Sequence, residues 1–310
     1  MRHINTVLGT IEASQLGRTR MHEHVILGLP GPNDDFSYPF DREVALQSAV
    51  TELSLLSSKW GISTIVDATP SRMVPHHELL AAVAEATGMN VIASAGFYIQ
   101  GFPDRFTPMD VDAIAEMMEI DITEGIAGSG IKAGAIKLGS GIDRITEAEE
   151  RAFRAAARVH KSTGVPIITH TDHGNLGQEQ LDILIGEGAN PSQVVIGHSC
   201  CSSDLNYHMG IMKRGAFLGF DRVGLEHFQP DEIRAAALVG LISQGYSNQI
   251  IVSQDHVIVL VGILPGLPPD AQRPLTHLHD KFIPHLRRSG VSDKTIDEIL
   301  IDNPRRIFQG

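Results

Sequence analysis

The sequence is poor in cysteine. Its only two, Cys200 and Cys201, are adjacent, and neighbouring residues have poor geometry for a disulfide. The spacing therefore excludes a framework of disulfides. We expect both side chains to be small buried residues.

Positive charge is also scarce, because 25 Lys and Arg stand against 37 Asp and Glu, for a formal net charge of -12. Binding to phosphate backbones or anionic membranes needs clustered basic side chains. We therefore expect no nucleic acid and no membrane among the partners. No apolar run approaches the roughly 18 to 20 residues of a membrane span, and the N-terminal residues lack a charged-then-apolar signal pattern. A cytoplasmic location is the resulting expectation.

What the chain does contain is typical of a globular protein: 310 residues, 42% hydrophobic and 20% charged. This length suits two average domains or one α/β barrel. No linker rich in Pro, Gly and Ser divides the chain, so we predict a single domain over residues 1–310.

Eight short apolar or β-branched runs recur, each followed by a polar or glycine-containing break and a helical pattern. Their spacing averages about 33 residues, the size of one βα unit. This predicts a (β/α)₈ TIM barrel. The alternative, a doubly wound sheet, is disfavoured because no G-x-G-x-x-G follows the first run. The runs end at His24, Asp67, Phe97, Leu138, His170, Ser199, Asp221 and Asp255.

Additional elements are predicted around the barrel. The alternating segment with a turn at Gly9 predicts a short N-terminal β-hairpin on the barrel floor. Thr146 and Glu149 form the pattern of a helix-capping box. Helices are predicted over 43–59, 75–87, 111–125 and 146–163, and closing helices over 275–290 and 294–308.

Potential metal ligands fall at the ends of the predicted strands, where barrel enzymes place their chemistry. Each alone has an ordinary explanation, such as a hydrogen-bonded histidine or a capping aspartate. Their occurrence together predicts a metal site for Zn²⁺ or a similar divalent ion, which imidazole and carboxylate ligands suit. The candidates are His22, His24, Lys137, His170, His198 and Asp255.

Two local patterns strengthen this prediction. His22 and His24 share one face of a strand while Glu23 takes the other. Lys137 lies in the apolar run AGAIKLGS, although lysine is rarely buried without a partner.

The ordered motifs MHEH, AGAIKLGS, ITHT, IGHS, GFDR and VSQD resemble the phosphotriesterase-like family of the amidohydrolase superfamily. The pattern is most similar to the phosphotriesterase-like lactonases. The resemblance implies a centre of two divalent ions, zinc or else iron, cobalt or manganese. His22, His24 and Asp255 would hold the more buried ion, and His170 with His198 the more exposed one.

The same resemblance implies that Lys137, carboxylated on its amine as N6-carboxylysine, bridges both ions together with a hydroxide that attacks the substrate. Burial would keep the amine neutral and able to accept CO₂. Asp255 would accept the proton and pass it to the leaving group. Tyr98 and Arg222 match positions beside the substrate, and relatives of this kind are commonly homodimers.

The substrate expected from the resemblance is a lactone or related ester. Phosphotriesterases proper tend to have a long insertion after strand seven, whereas here only a short segment separates Asp221 from the helix near Pro230, as in the lactonases. Phosphotriesterases use a proton-relay histidine after the seventh strand, and here only His227 could take that role. Organophosphate triesters are therefore expected to be side substrates. The apolar run 257–264 could line a substrate pocket or cover a dimer interface. The sequence of the segment 27–40 differs from that of the lactonases. A carboxylesterase, amidase or phosphotriesterase with the same centre is an alternative, as is a metal-binding scaffold without turnover.

Overall fold

The computed structural model describes residues 3–28, 40–73, 76–98, 109–261, 271 and 273–310. Consecutive strands pair in parallel around the molecule, as the recurring runs predict. The eight barrel strands are β3 (Arg18–Gly28), β4 (Ile62–Pro70), β5 (Asn90–Gly96), β6 (Ala135–Lys137), β7 (Ile167–Ile168), β8 (Val194–Ile196), β9 (Phe217–Phe220) and β10 (Ile250–Val252).

A further strand, β11 (Val257–Val261), follows β10 after four residues and pairs in parallel with β3. The Asp255 N–H donates to the carbonyl of His22 at 3.1 Å, and the His24 N–H donates to the carbonyl of His256 at 2.9 Å. These bonds join the segment between β10 and β11 to β3, the first barrel strand, and complete the predicted barrel. The run 257–264 also has a structure that the sequence did not suggest: its first five residues form β11 beside β3, and 262–264 lie outside the described residues.

The predicted hairpin consists of β1 (His3–Thr6) and β2 (Gly9–Glu12), antiparallel to each other. The Val7 N–H donates to the Val91 carbonyl at 2.9 Å, and the Asn5 side chain donates to the Ala133 carbonyl at 2.9 Å. Both acceptors lie at the N-terminal ends of barrel strands. The hairpin therefore closes the end of the barrel opposite the strands' carboxyl ends.

Helices surround the sheet and follow the predicted ranges closely. The capping box predicted at Thr146 and Glu149 is present. The segments predicted as two closing helices each contain a π-helical stretch, Leu278–Phe282 and Glu298–Asp302. None of the helices within the described ranges is long and apolar enough to cross a membrane. The α-helices are α1 (Arg42–Trp60), α2 (His77–Thr87), α3 (Val111–Thr123), α4 (Glu147–Thr163), α5 (Gly177–Gly186), α6 (Leu205–Met212), α7 (Asp231–Ser243), α8 (Ile283–Arg288), α9 (Asp293–Asp297) and α10 (Asn303–Gln309).

The barrel interior is filled below the site by one apolar side chain from each strand, all buried. A β-bulge between Arg20 and Glu23 shifts the register of β3 against β4. The bulge lets Met21 fill the barrel while His22 also faces inward. The interior residues are Met21, Val66, Ile92, Ala135, Ile168, Val195, Phe217 and Ile251.

Candidate metal centre

The predicted ligands come from one end of the barrel. His22, His24 and Lys137 lie within strands, and the remaining ligands lie in the connections two or three residues beyond β7, β8 and β10. Ile136 and Leu138, the neighbours of Lys137, pack in the outer layer under the helices. Lys137 therefore points into the barrel, among the other predicted ligands.

Asp255 lies at the centre of this group. Its Oδ1 is 3.0 Å from His24 Nε2 and 3.4 Å from His22 Nε2. Its Oδ2 is 3.7 Å from His198 Nε2. His22, His198 and Asp255 each offer one possible ligand atom, and these three atoms lie within 4.8 Å of one another. A single ion can span this spacing.

Lys137 is fully buried beside these groups. Its Nζ lies 3.0 Å from His22 Nε2 and donates to the Thr169 carbonyl at 3.3 Å. Burial lowers the pKa of Lys137 to about 8, against the opposing effect of the Asp255 and Asp221 carboxylates. A large fraction of the amine is therefore neutral near pH 8.

His170 and His198 complete the group, with ring centroids 4.4 Å apart in an edge-to-face arrangement. Burial lowers the pKa of His198 to about 3 and holds that of His170 well below its usual value. Burial, followed by the nearby Lys137, also lowers the pKa of His22. These imidazoles are therefore neutral at pH 7, which is the form that binds metal.

A carboxylate that we did not predict as a site residue fixes two of these histidines. Asp221 Oδ2 lies 2.7 Å from His22 Nδ1, and Asp221 Oδ1 lies 3.0 Å from His198 Nδ1. Burial alone would raise the pKa of Asp221, but His198 and His22 hold it well below its usual value. Both imidazoles are thus oriented with Nε2 toward the centre of the group.

Two glycines make room for the Asp221 carboxylate. A Cβ at Gly219 would lie 2.5 Å from Asp221 Oδ2, and a Cβ at Gly197 would lie 3.2 Å from the same atom. Side chains at these positions would displace the carboxylate from the histidines. The sequence signal was the aspartate at the end of the seventh run, next to Arg222 in GFDR.

His24 is oriented from the other side. Its Nδ1 lies 2.7 Å from Thr69 Oγ1. Asp67 accepts from the backbone N–H of Thr69 within β4 at 2.9 Å and from that of Val25 on β3 at 3.1 Å, so it connects the ends of these two strands. Partners of this kind on the far nitrogen of a histidine are common around protein metal sites.

Tyr98 and Arg222, the predicted substrate contacts, border the same group. The Tyr98 hydroxyl is 3.4 Å from both ring nitrogens of His170. Arg222 Nε donates to Asp255 Oδ2 at 3.0 Å, and its guanidinium lies 4.1 Å from the centre of the Phe228 ring. His227 lies on the exposed loop after β9 with its ring against Phe228.

The chemistry of the donor set fits divalent metal ions. The set offers four imidazoles, one carboxylate and a lysine that can become a carbamate, all of which suit zinc and similar metals. Asp255 stays anionic: burial would raise its pKa, but His198, His24 and Arg222 together hold it well below its usual value.

Of the segment 27–40, whose sequence departs from the lactonases, residues 29–39 lie outside the described residues.

Comparison with known proteins agrees with this geometry. Residues 2–308 match the Phosphotriesterase family. An aryldialkylphosphatase from Saccharolobus solfataricus is 34% identical over 307 residues, covering 96% of this chain and 97% of that protein. A phospho-furanose lactonase from Mycoplasmopsis synoviae is 32% identical over 322 residues, covering 98% and 90%. The crystal structure of a substituted PTE-like lactonase from Deinococcus radiodurans superposes with a TM-score of 0.92 at 39% identity, covering 98% of this chain and 99% of that one. The chain is therefore a member of the phosphotriesterase family, and its relatives include both an aryldialkylphosphatase and lactonases.

Proposed function

We propose that this protein is a binuclear metal-dependent hydrolase that opens lactones or related carboxylic esters. The observation that carries the proposal is the position of Lys137, buried in the barrel with Nζ 3.0 Å from His22 Nε2 and surrounded by imidazoles and Asp255. A lysine carbamate bridging two ions accounts for this placement. A relative and a solved structure that are described as lactonases support the substrate class.

In this proposal His22, His24 and Asp255 would hold one ion, His170 and His198 would hold the other, and carboxylated Lys137 would be a ligand to both. When bound, the two ions supply Lewis-acid polarisation of the substrate oxygen and lower the pKa of a water molecule. The residues around them do the remaining work. Asp221 and Thr69 keep the imidazoles in the orientation that the ions require.

Asp255 is the proposed proton carrier. Its Oδ1 faces His24 and its Oδ2 faces Arg222, the proposed substrate contact, so Oδ2 is the oxygen to which we assign the proton transfer. Oδ2 would take the proton of the attacking water and pass it to the leaving oxygen of the ester. Arg222 holds this oxygen in place through a 3.0 Å hydrogen bond.

Tyr98 and Arg222 are proposed to contact the substrate. Burial raises the pKa of Tyr98 well above its usual value, so the hydroxyl stays protonated and can donate to a carbonyl oxygen. Phe228, partly buried against Arg222, offers an apolar surface nearby, which suits a substrate with an apolar substituent.

A panel of substrates tests this proposal. Metal-replete protein would be assayed on lactones with short and long acyl chains, aryl esters, amides and a paraoxon-like triester. We expect the highest kcat/KM on lactones. Preferred hydrolysis of aryl esters or amides would assign the same centre to the alternative reactions, and failure on every substrate would assign the protein to the non-catalytic scaffolds.

Phosphotriesterase activity is a second candidate, because the aryldialkylphosphatase matches nearly the whole chain. The same panel separates the two, since a triester preferred over every lactone would overturn the lactonase assignment. A homodimer and the small-molecule partner remain predictions from the sequence.

A further inference from the structure

The segment that carries Asp255 has an unusual backbone. Asp255 has a φ of 55°, in the left-handed region that residues other than glycine rarely adopt. It lies between β10 and β11, in the four residues that close the barrel. Such a conformation persists only where the surroundings hold it.

Glu23 provides this support from the outside of the barrel. Its Oε1 accepts from the Gln254 N–H at 3.0 Å, and its Oε2 accepts from the His256 N–H at 2.9 Å. Between them, the Asp255 N–H donates to the His22 carbonyl. A left-handed residue allows the N–H groups of both its neighbours to point at one anion, an arrangement known from backbone anion sites. Here that anion is a side chain of the protein itself.

Two further contacts connect Glu23 to the ligand strand. The Ser253 hydroxyl donates to Glu23 Oε1 at 3.1 Å and accepts from the His22 N–H at 3.0 Å. Arg20 forms an ion pair with Glu23, and all of these side chains are fully buried. Glu23 therefore lies where the backbones that carry His22, His24 and Asp255 meet.

We propose that Glu23 is a positioning residue: its carboxylate holds the left-handed backbone of Asp255 so that Oδ1 faces the histidines and Oδ2 faces Arg222. Nothing in its position lets Glu23 touch the site directly, because its side chain lies on the opposite face of β3 from His22 and His24. The effect on turnover rests on the proposed function of Asp255. The effect on the backbone does not.

Glu23→Gln tests the proposal because it keeps the shape but replaces one acceptor oxygen with an NH₂ group that must face a backbone N–H. Glu149→Gln is the matched control. Glu149 is also a buried glutamate that accepts from two backbone N–H groups, those of Thr146 at 2.7 Å and Gly141 at 3.2 Å, where it caps α4.

Three readouts would be compared: amide hydrogen exchange of residues 253–257, the affinity of the metal-free protein for Co²⁺, and kcat with KM on the best substrate. For Glu23→Gln we expect exchange at Gln254 and His256 at least tenfold faster than in the parent protein. We also expect weaker Co²⁺ binding and a kcat lowered tenfold or more at a KM changed less than threefold. Glu149→Gln should leave all three near the parent values.

Parent-like exchange and Co²⁺ affinity in folded Glu23→Gln would overturn the proposal. Equal losses in both variants would also overturn it, because they would show only that a buried carboxylate stabilises the fold. If the parent protein hydrolyses none of the substrates, the proposed function fails while the exchange and Co²⁺ measurements still decide the role of Glu23.

Discussion

Asp221 holds His22 in place through a 2.7 Å contact between Oδ2 and Nδ1. Its other carboxylate oxygen contacts His198, a ligand that the proposal assigns to the other ion. One side chain thus sets the orientation of a histidine at each of the two positions. Asp221 therefore orients one proposed ligand of each ion.

Asp221→Asn should lower the metal affinity or kcat by roughly 10- to 100-fold, the usual effect of losing a partner behind a metal ligand. Asparagine has one acceptor oxygen, so it can accept from only one of the two imidazole N–H groups. The measurement is a Co²⁺ titration of the metal-free protein with steady-state kinetics. Asp204→Asn is the control, because Asp204 caps α6 on the surface and asparagine caps equally well. Unchanged affinity and kcat in Asp221→Asn would show that His22 and His198 need no orienting partner.

Lys137→Ala should lose most activity and at least one bound ion per chain, since it removes the proposed bridge. A short-chain carboxylic acid added at millimolar concentration should restore part of both by supplying a carboxylate in the same space. Lys132→Ala, at an exposed position near β6, serves as the control. A fully active Lys137→Ala protein with its normal metal content would contradict the bridging role.

Carboxylation of Lys137 should depend on pH. Burial lowers its pKa to about 8, so the ammonium form predominates below pH 8 and the neutral amine, which reacts with CO₂, predominates above it. At a fixed concentration of dissolved CO₂, recovery of activity after adding metal to the metal-free protein should therefore speed up as the pH rises from 6.5 to 9. Recovery that is equally fast across this range would argue against amine deprotonation as the limiting step.

Gly197→Ala should destabilise the protein. The added Cβ would lie 2.1 Å from the Thr169 carbonyl oxygen and against Asp221, and overpacking of this kind costs about 1 to 3 kcal/mol. Gly186→Ala is the contrasting change, because nothing lies within 4 Å of its Cβ at the end of α5. It should raise the stability by up to about 1 kcal/mol. Urea unfolding of both variants checks the pair, and equal effects would refute the steric explanation.

Much of the architecture could be predicted from sequence because each βα unit repeats a local pattern. The eight runs, the hairpin and the capping box at Thr146 depend on residues close together in the chain. The predicted site residues could be found for a related reason, since parallel strands bring their carboxyl ends to one edge of the barrel.

The supporting residues could not be predicted because their partners are far away in sequence. His22 and Asp221 are 199 positions apart, and Glu23 and His256 are 233 apart. An apolar run such as 257–264 gives no sign that its first part pairs with β3 after a left-handed turn at Asp255. The bulge that turns both Met21 and His22 inward also breaks the simple alternation along the strand.

A titration of metal-free protein with Zn²⁺ or Co²⁺, in the presence of CO₂ and with lactone hydrolysis as the readout, tests the central claim most directly. The two-ion centre predicts that activity rises with added metal and reaches its plateau at about two equivalents per chain. A plateau at one equivalent, or hydrolysis that needs no metal, would contradict it.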